Sequence, residues 1–169
     1  MIPGLRGIEH VGITVPDAGE AVRFLVDVLG CEECFALGPF SAQDDWMTRQ
    51  LGVAARARIP DIRIVRCRNG ANIEVFEYAV PDQGRVCPRN SDVGGHHLAF
   101  YVEAMEPAIA YLRERGVRVM GEPVTATEGA NAGETWVYFL APWGLQFELV
   151  SYPRGMACAP ERAPWTPSP

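Results

Sequence analysis

Residues 95–102 read GHHLAFYV, and residues 9–15 read EHVGITV. Each stretch opens a short alternating run with a histidine, His10 in the first and His97 in the second, and a helix-like segment follows each run. Later in each half a further strand-like run carries a glutamate: Glu74 in NIEVFEY (72–78) and Glu148 in LQFELVSY (145–152). The chain therefore reads as one unit written twice, with a His and a Glu at matching places in each copy. The interval from His10 to Glu74 exceeds that from His97 to Glu148, as expected if an irregular excursion is longer in the first copy. Such a repeat governs the fold, because each half alone leaves one face of its sheet unburied.

Working outward from these stretches, residues 8–15 alternate between His10, Gly12 and Thr14 on one face and Val11, Ile13 and Val15 on the other, the pattern of a half-buried strand. Asp17 reads as a helix N-cap with Glu20 three residues on, and Ala21, Val22, Leu25, Val26 and Leu29 form the apolar stripe of a helix that Gly30 stops. A strand near 34–37 follows, then an excursion that is partly helical around 46–51. Strands at 61–68 and 71–78 are joined at Asn69-Gly70, a strong hairpin signal. In the second half the order recurs: a strand at 97–102, a helix at about 104–115, a short strand at 117–120, and a hairpin of 134–140 with 145–152 around APWG. This divides the chain into a first βαβββ module (7–80), a polar linker (81–93), a second βαβββ module (94–152) and a Pro-rich tail (153–169).

Bulk properties bound the function. The 169 residues are 48% hydrophobic and 21% charged, the balance of an ordinary soluble globule. The net charge is −6 and lysine is absent, which argues against nucleic acid or an anionic membrane as partner. No apolar run is long enough to span a bilayer, and the N-terminal stretch MIPGLRGIEH has no apolar signal core, so the expected location is the cytoplasm. Five cysteines (31, 34, 67, 87 and 158) are then expected to be reduced, and the lone Cys31-x-x-Cys34 lacks the second pair that a zinc site needs.

Strand alternation selects the site candidates. In both copies the apolar face of the first strand, Val11/Ile13/Val15 or Leu98/Phe100/Val102, is the one able to pack on the following helix. His10 and His97 project the other way, and Glu74 and Glu148 lie opposite their apolar neighbours Ile73/Val75 and Phe147/Leu149. His96 and His97 must point to opposite faces, and only His97 matches the register of His10. A solitary strand histidine is ordinarily just a hydrogen-bonded polar residue; its recurrence in a repeated unit is what argues for function. Glu77 and Glu103 read as glutamates on solvated faces. Two imidazoles and two carboxylates would hold a divalent metal: zinc, nickel, cobalt, manganese or iron.

The motifs GIEHVGITVPD (7–17), GGHHLAFYVE (94–103), RGVRVMGEPV (115–124) and APWGLQFELVSYP (141–153) resemble the vicinal oxygen chelate superfamily, the group of glyoxalase I, methylmalonyl-CoA epimerase, extradiol dioxygenases and bleomycin-resistance proteins. The resemblance covers roughly residues 7–152. It implies an α+β fold of two tandem βαβββ modules forming a curved, cup-shaped mixed sheet with helices on the outer face, a metal held by His10, Glu74, His97 and Glu148, and a homodimer. The His, Glu, His, Glu set matches glyoxalase I, and differs from methylmalonyl-CoA epimerase only in having Glu where that enzyme has Gln. Both enzymes move protons. The resemblance thus implies a metal-dependent epimerase or isomerase acting on a polar ketone or acyl thioester with adjacent oxygens, in which Glu74 and Glu148 take and return a proton through a chelated enediolate. A glyoxalase I-like lyase, an extradiol-type dioxygenase and a non-catalytic binder are the alternatives. Trp46, Met47, Arg49, Tyr101, Trp136 and Tyr138 are candidates to line the substrate site, and Arg49 and Arg56 to hold an anionic substrate, although surface arginines and packed aromatics are ordinary in themselves.

Overall fold

A computed structural model, which describes residues 2–68 and 70–157, divides the chain into two compact units, Met1–Arg85 and Val86–Pro169. The division falls inside the 81–93 stretch. In the first unit the order is β1 (His10–Val15), α1 (Ala18–Arg23), β2 (Glu32–Leu37), α2 (Trp46–Leu51), β3 (Arg58–Arg66) and β4 (Asn72–Ala79), with α1 running on into a wider π-turn over Phe24–Val28. The second contains β5 (Leu98–Tyr101), α3 (Met105–Glu114), β6 (Val119–Thr125), β7 (Thr135–Leu140) and β8 (Gln146–Ser151). Each unit builds one four-stranded mixed sheet, ordered β1-β4-β3-β2 and β5-β8-β7-β6. The outer pairs β1·β4 and β5·β8 are parallel and the others antiparallel. This is the α+β arrangement of two βαβββ modules.

Local sequence explains the first helix. Asp17 is extended, and its Oδ1 accepts from the Glu20 N–H at 2.7 Å, which satisfies one of the orphan donors of the first turn. Ala18, Ala21, Val22, Phe24 and Leu25 are buried, and Gly30 ends the element at φ +70°. Glu77 corrects the reading of a solvated glutamate. Its carboxylate accepts from the Ala18 N–H at 3.0 Å, so this charge sits where the helix N-terminus is electropositive.

In the second unit α3 buries Met105, Ile109 and Leu112, and the sheet face buries Val137, Phe139, Phe147 and Leu149. Phe100, Phe139 and Phe147 meet ring to ring, with the closest centroids 5.3 Å apart. The excursion of the first unit has a small core of its own. Met47, Ala57 and Ile59 are fully buried there, packed by Ile62, Phe76 and Tyr78. Met47 is therefore packing, not a site-lining residue.

The cysteine expectation is also corrected. Cys31 and Cys67 form a disulfide. The cause is register: Glu32 pairs with Arg66, so the next residues out on β2 and β3 face each other, with their Cα atoms 4.3 Å apart. Cys34 is an exposed thiol at the β2 irregularity, so Cys31-x-x-Cys34 is not a redox pair. Asn69 of the hairpin signal lies outside the described residues; beside it, the Gly70 N–H donates to the Cys67 carbonyl at 3.1 Å. Residues 158–169 of the Pro-rich tail also lie outside them. Among the described residues no helix is long and apolar enough to cross a membrane.

Truncating the aromatic centre of the second unit tests this packing. Phe139→Ala is expected to cost about 3–5 kcal/mol of unfolding free energy, the usual penalty for emptying a fully buried aromatic site. Urea or thermal unfolding followed by circular dichroism measures it.

Candidate functional site

The parallel register places His10 opposite Asn72 and Gly12 opposite Glu74, so His10 and Glu74 share the face turned away from α1, one step apart along the strands. Their side chains lean together across Gly12, and His10 Nε2 lies 3.1 Å from a Glu74 carboxylate oxygen. In the second unit Ala99 stands opposite Glu148, and His97 Nε2 lies 3.0 Å from a Glu148 oxygen. Glycine in one module and alanine in the other leave the space above each glutamate open to the imidazole.

Each pair offers donors of a kind that divalent metals take, an imidazole nitrogen and a carboxylate oxygen. Two donor atoms bound at about 2.1 Å and at right angles to one another stand about 3 Å apart. The observed separations of an imidazole nitrogen from a carboxylate oxygen, 3.1 and 3.0 Å, are close to that right-angled spacing and are also those of a hydrogen bond. Among the described residues no three His, Cys, Asp or Glu side chains gather as a metal-binding group. Each unit brings one imidazole and one carboxylate together.

The other nitrogen of each imidazole is also engaged. His10 Nδ1 lies 2.5 Å from Glu9, whose hydrogen bond holds the imidazole pKa above its ordinary value, with the Glu74 charge adding to the shift. In return, the bonds from His10 and Asn72 hold the Glu9 carboxyl below the usual range. His97 Nδ1 lies 3.2 Å from the Asn90 side-chain amide. Gly95 permits that contact. A Cβ there would fall 2.0 Å from the Arg89 carbonyl, so only glycine lets the 89–95 loop close beneath His97. Glu9, Asn90 and Gly95 were not singled out by the sequence; the repeat marks Glu9 only as a neighbour of His10. His96 points away and meets the Gly94 carbonyl at 3.1 Å.

The two carboxylates differ in surroundings. Glu148 is the more enclosed, its side chain 13% exposed against 21% for Glu74. Its cross-strand neighbour is Tyr138, whose hydroxyl hydrogen-bonds the carboxylate and whose ring meets His97 edge-on at 5.3 Å. Burial pushes the Glu148 carboxyl up, against the opposing pull of His97 and the Tyr138 bond. Burial and the Glu148 charge also raise the Tyr138 phenol. The cross-strand neighbour of Glu74 is Ile64, which offers no such bond.

The remaining candidates are placed as follows. Tyr101 and Trp136 flank Val150 in the strand row beyond Glu148, on the Tyr138 side of the second sheet. Trp46 and Arg49 lie on α2, Trp46 against the Phe40 ring and Arg49 paired with Asp45 at 3.1 Å. Arg56 is exposed in the loop before β3.

Comparison with known proteins gives three findings. A family model described as the glyoxalase/bleomycin resistance protein/dioxygenase superfamily matches residues 9–139. A curated protein of Actinomyces sp., 2-epi-5-epi-valiolone epimerase, is 50% identical over 157 residues, covering 91% of this chain and 84% of that one. Among solved structures, a glyoxalase family protein from Bacillus cereus superposes with TM-score 0.67 at 17% identity, covering 89% of this chain and 97% of its own. Another from Enterococcus faecalis does so with TM-score 0.60 at 24% identity, covering 86% and 98%. These structural likenesses concern the fold.

The raised Glu148 pKa carries a stability signature. In metal-free protein the folded state holds a proton on this group that the unfolded chain has released, so its contribution to stability falls as pH rises through the raised value. Glu148→Gln removes that loss. The variant is expected to gain stability relative to wild type as pH climbs from about 4.3, the ordinary glutamate value, toward neutrality. Urea midpoints at stepped pH measure the difference, and a constant difference would contradict it.

Proposed function

The chain belongs to the glyoxalase/bleomycin resistance protein/dioxygenase superfamily and is an enzyme of its epimerase kind; from that premise we propose its substrate class, its metal and the roles of its side chains. The substrate is a hydroxylated ketone of the valiolone type, and the reaction inverts a carbon next to the carbonyl. The 50% identical relative supports this ketone over the acyl thioester, and epimerisation over the lyase, dioxygenase and binding readings.

The observation that carries the mechanism is the recurrence of one pair, imidazole Nε2 against carboxylate oxygen, in both modules. On this reading His10, Glu74, His97 and Glu148 together hold one divalent ion: zinc, nickel, cobalt, manganese or iron. When bound, such an ion supplies Lewis acidity to two adjacent substrate oxygens, which acidifies the neighbouring C–H. The protein's own groups do the rest. One of Glu74 and Glu148 removes the proton from carbon, and the other delivers a proton to the opposite face of the flattened intermediate. Tyr138, which faces Glu148 across the β7·β8 pair, donates to its carboxylate on this reading. Tyr101 and Trp136 offer apolar and hydroxyl surface to a hydroxylated ring, with Trp46 and Arg49 as further candidates. A homodimer is proposed on the resemblance alone, and light scattering tests it.

The deciding experiment is to incubate metal-loaded protein with 2-epi-5-epi-valiolone in D2O and follow the spectrum by NMR. Deuterium entry at the carbon beside the carbonyl, together with the second epimer, is the expected result; neither exchange nor a new epimer would sink the proposal. Glu74→Gln and Glu148→Gln are each expected to lower turnover by about 10²–10⁴-fold, as each carboxylate acts once per inversion. Full activity in either variant would refute the two-base scheme. Tyr138→Phe keeps the ring contact with His97 and removes only the hydroxyl. It is expected to lower kcat about tenfold, roughly the worth of one hydrogen bond to a charged group, with KM little changed in steady-state assays.

A further inference from the structure

We propose that Glu9 is a positioning residue for His10, locking its ring so that Nε2 alone faces Glu74, and that Asn72 and Arg66 hold Glu9 in place for this task. The inference rests on the reading of His10 as a metal ligand only for its consequence, not for its geometry. His10 Nδ1 lies 2.5 Å from one Glu9 carboxylate oxygen. The other oxygen accepts from Asn72 Nδ2 at 2.7 Å, and Asn72 Oδ1 accepts from Arg66 Nε at 3.0 Å. Guanidinium nitrogen only donates and carboxylate oxygen only accepts, so the Asn72 amide has one orientation that satisfies both. Asn72 is buried, one of two polar residues so placed among the described ones, and it directly faces His10 across the β1·β4 pair. The Asn72 N–H donates to the Glu9 carbonyl at 3.0 Å, which extends the ladder one residue beyond β1 and anchors Glu9 by its backbone as well.

The chain Arg66–Asn72–Glu9–His10–Glu74 thus runs from β3 to the site. A carboxylate on one imidazole nitrogen fixes the tautomer and raises the donor strength of the other, which is how ligating histidines are commonly supported. The second module lacks the device. His96 occupies the place of Glu9 and bonds the Gly94 carbonyl, while the Nδ1 of His97 meets the neutral amide of Asn90. The two histidines therefore differ at Nδ1, which faces a carboxylate in His10 and a neutral amide in His97.

Long-range ¹H–¹⁵N correlation spectra of the metal-free protein show where the His10 ring carries its proton, and zinc affinity by chelator competition shows the consequence. In wild type the Nδ1 signal is expected in the protonated range. In Glu9→Ala it is expected to move toward that of a bare nitrogen, with zinc binding about 10–100-fold weaker. Glu9→Gln, which keeps an oxygen acceptor, is expected to restore the signal with intermediate affinity; it carries the test if Glu9→Ala does not fold. An unmoved Nδ1 signal in a folded Glu9→Ala protein overturns the inference. A signal that moves while not even wild type binds zinc upholds the positioning of His10 and removes the metal reading instead.

Discussion

In each module the first strand runs parallel to the last, β1 beside β4 and β5 beside β8, and a parallel pair cannot be closed by a tight turn. The chain must cross from one end of the sheet to the other before it can return in the same direction. A helix makes that crossing, and two antiparallel strands then bring the chain back. The crossover length makes neighbours of residues far apart in sequence: His10 faces Asn72, and His97, one residue before Leu98, stands beside the strand that carries Glu148. Because the side-chain period is two, the His and the Glu fall on one face, and the apolar residues that pair with them fall on the helix side. Slipping a parallel pair by one residue would turn that module's carboxylate toward the core and separate its His from its Glu.

Within that shared frame the two modules have diverged in what supports each functional side chain. The first ties its histidine to Glu9 and leaves its glutamate beside Ile64. The second ties its histidine to Asn90 and gives its glutamate the Tyr138 hydroxyl in a more enclosed setting. The added partner thus falls on the imidazole in one module, as a carboxylate, and on the glutamate in the other, as a phenol. For an epimerase this difference has chemical meaning. On the proposed two-base scheme, the two carboxylates would act from different surroundings, Glu74 beside Ile64 and Glu148 beside Tyr138.

The long excursion of the first module belongs to the same design. Met47, Ala57 and Ile59 bury themselves against Ile62, Phe76 and Tyr78. By strand alternation Phe76 and Tyr78 share the face of Glu74. The excursion therefore covers the end of that face beyond Glu74 with apolar packing, while the Cys31–Cys67 disulfide ties β2 to β3 at the opposite end of the sheet. Glu77, on the other side of β4, caps α1 and joins the helix layer to the same strand.

The sequence by itself determined the repeat, the module order and the four side chains that lie in pairs. Those properties are written in strand alternation, in helix caps such as Asp17 and in turn glycines, all of which act over a few residues. The resemblance carried by the motifs extended them to a family and a kind of chemistry. Tertiary structure alone decided what depends on register between distant strands. Cys31 meets Cys67 because Glu32 pairs with Arg66, and Glu77 finds the Ala18 N–H because α1 crosses above β4. Asn72, paired with His10, carries Glu9 to its Nδ1, and Tyr138, paired with Glu148, becomes its hydrogen-bond donor. Local patterns report which face a side chain takes. They hold no information about which residue of another strand stands opposite, because that is set by how long each connection is and where each bulge falls.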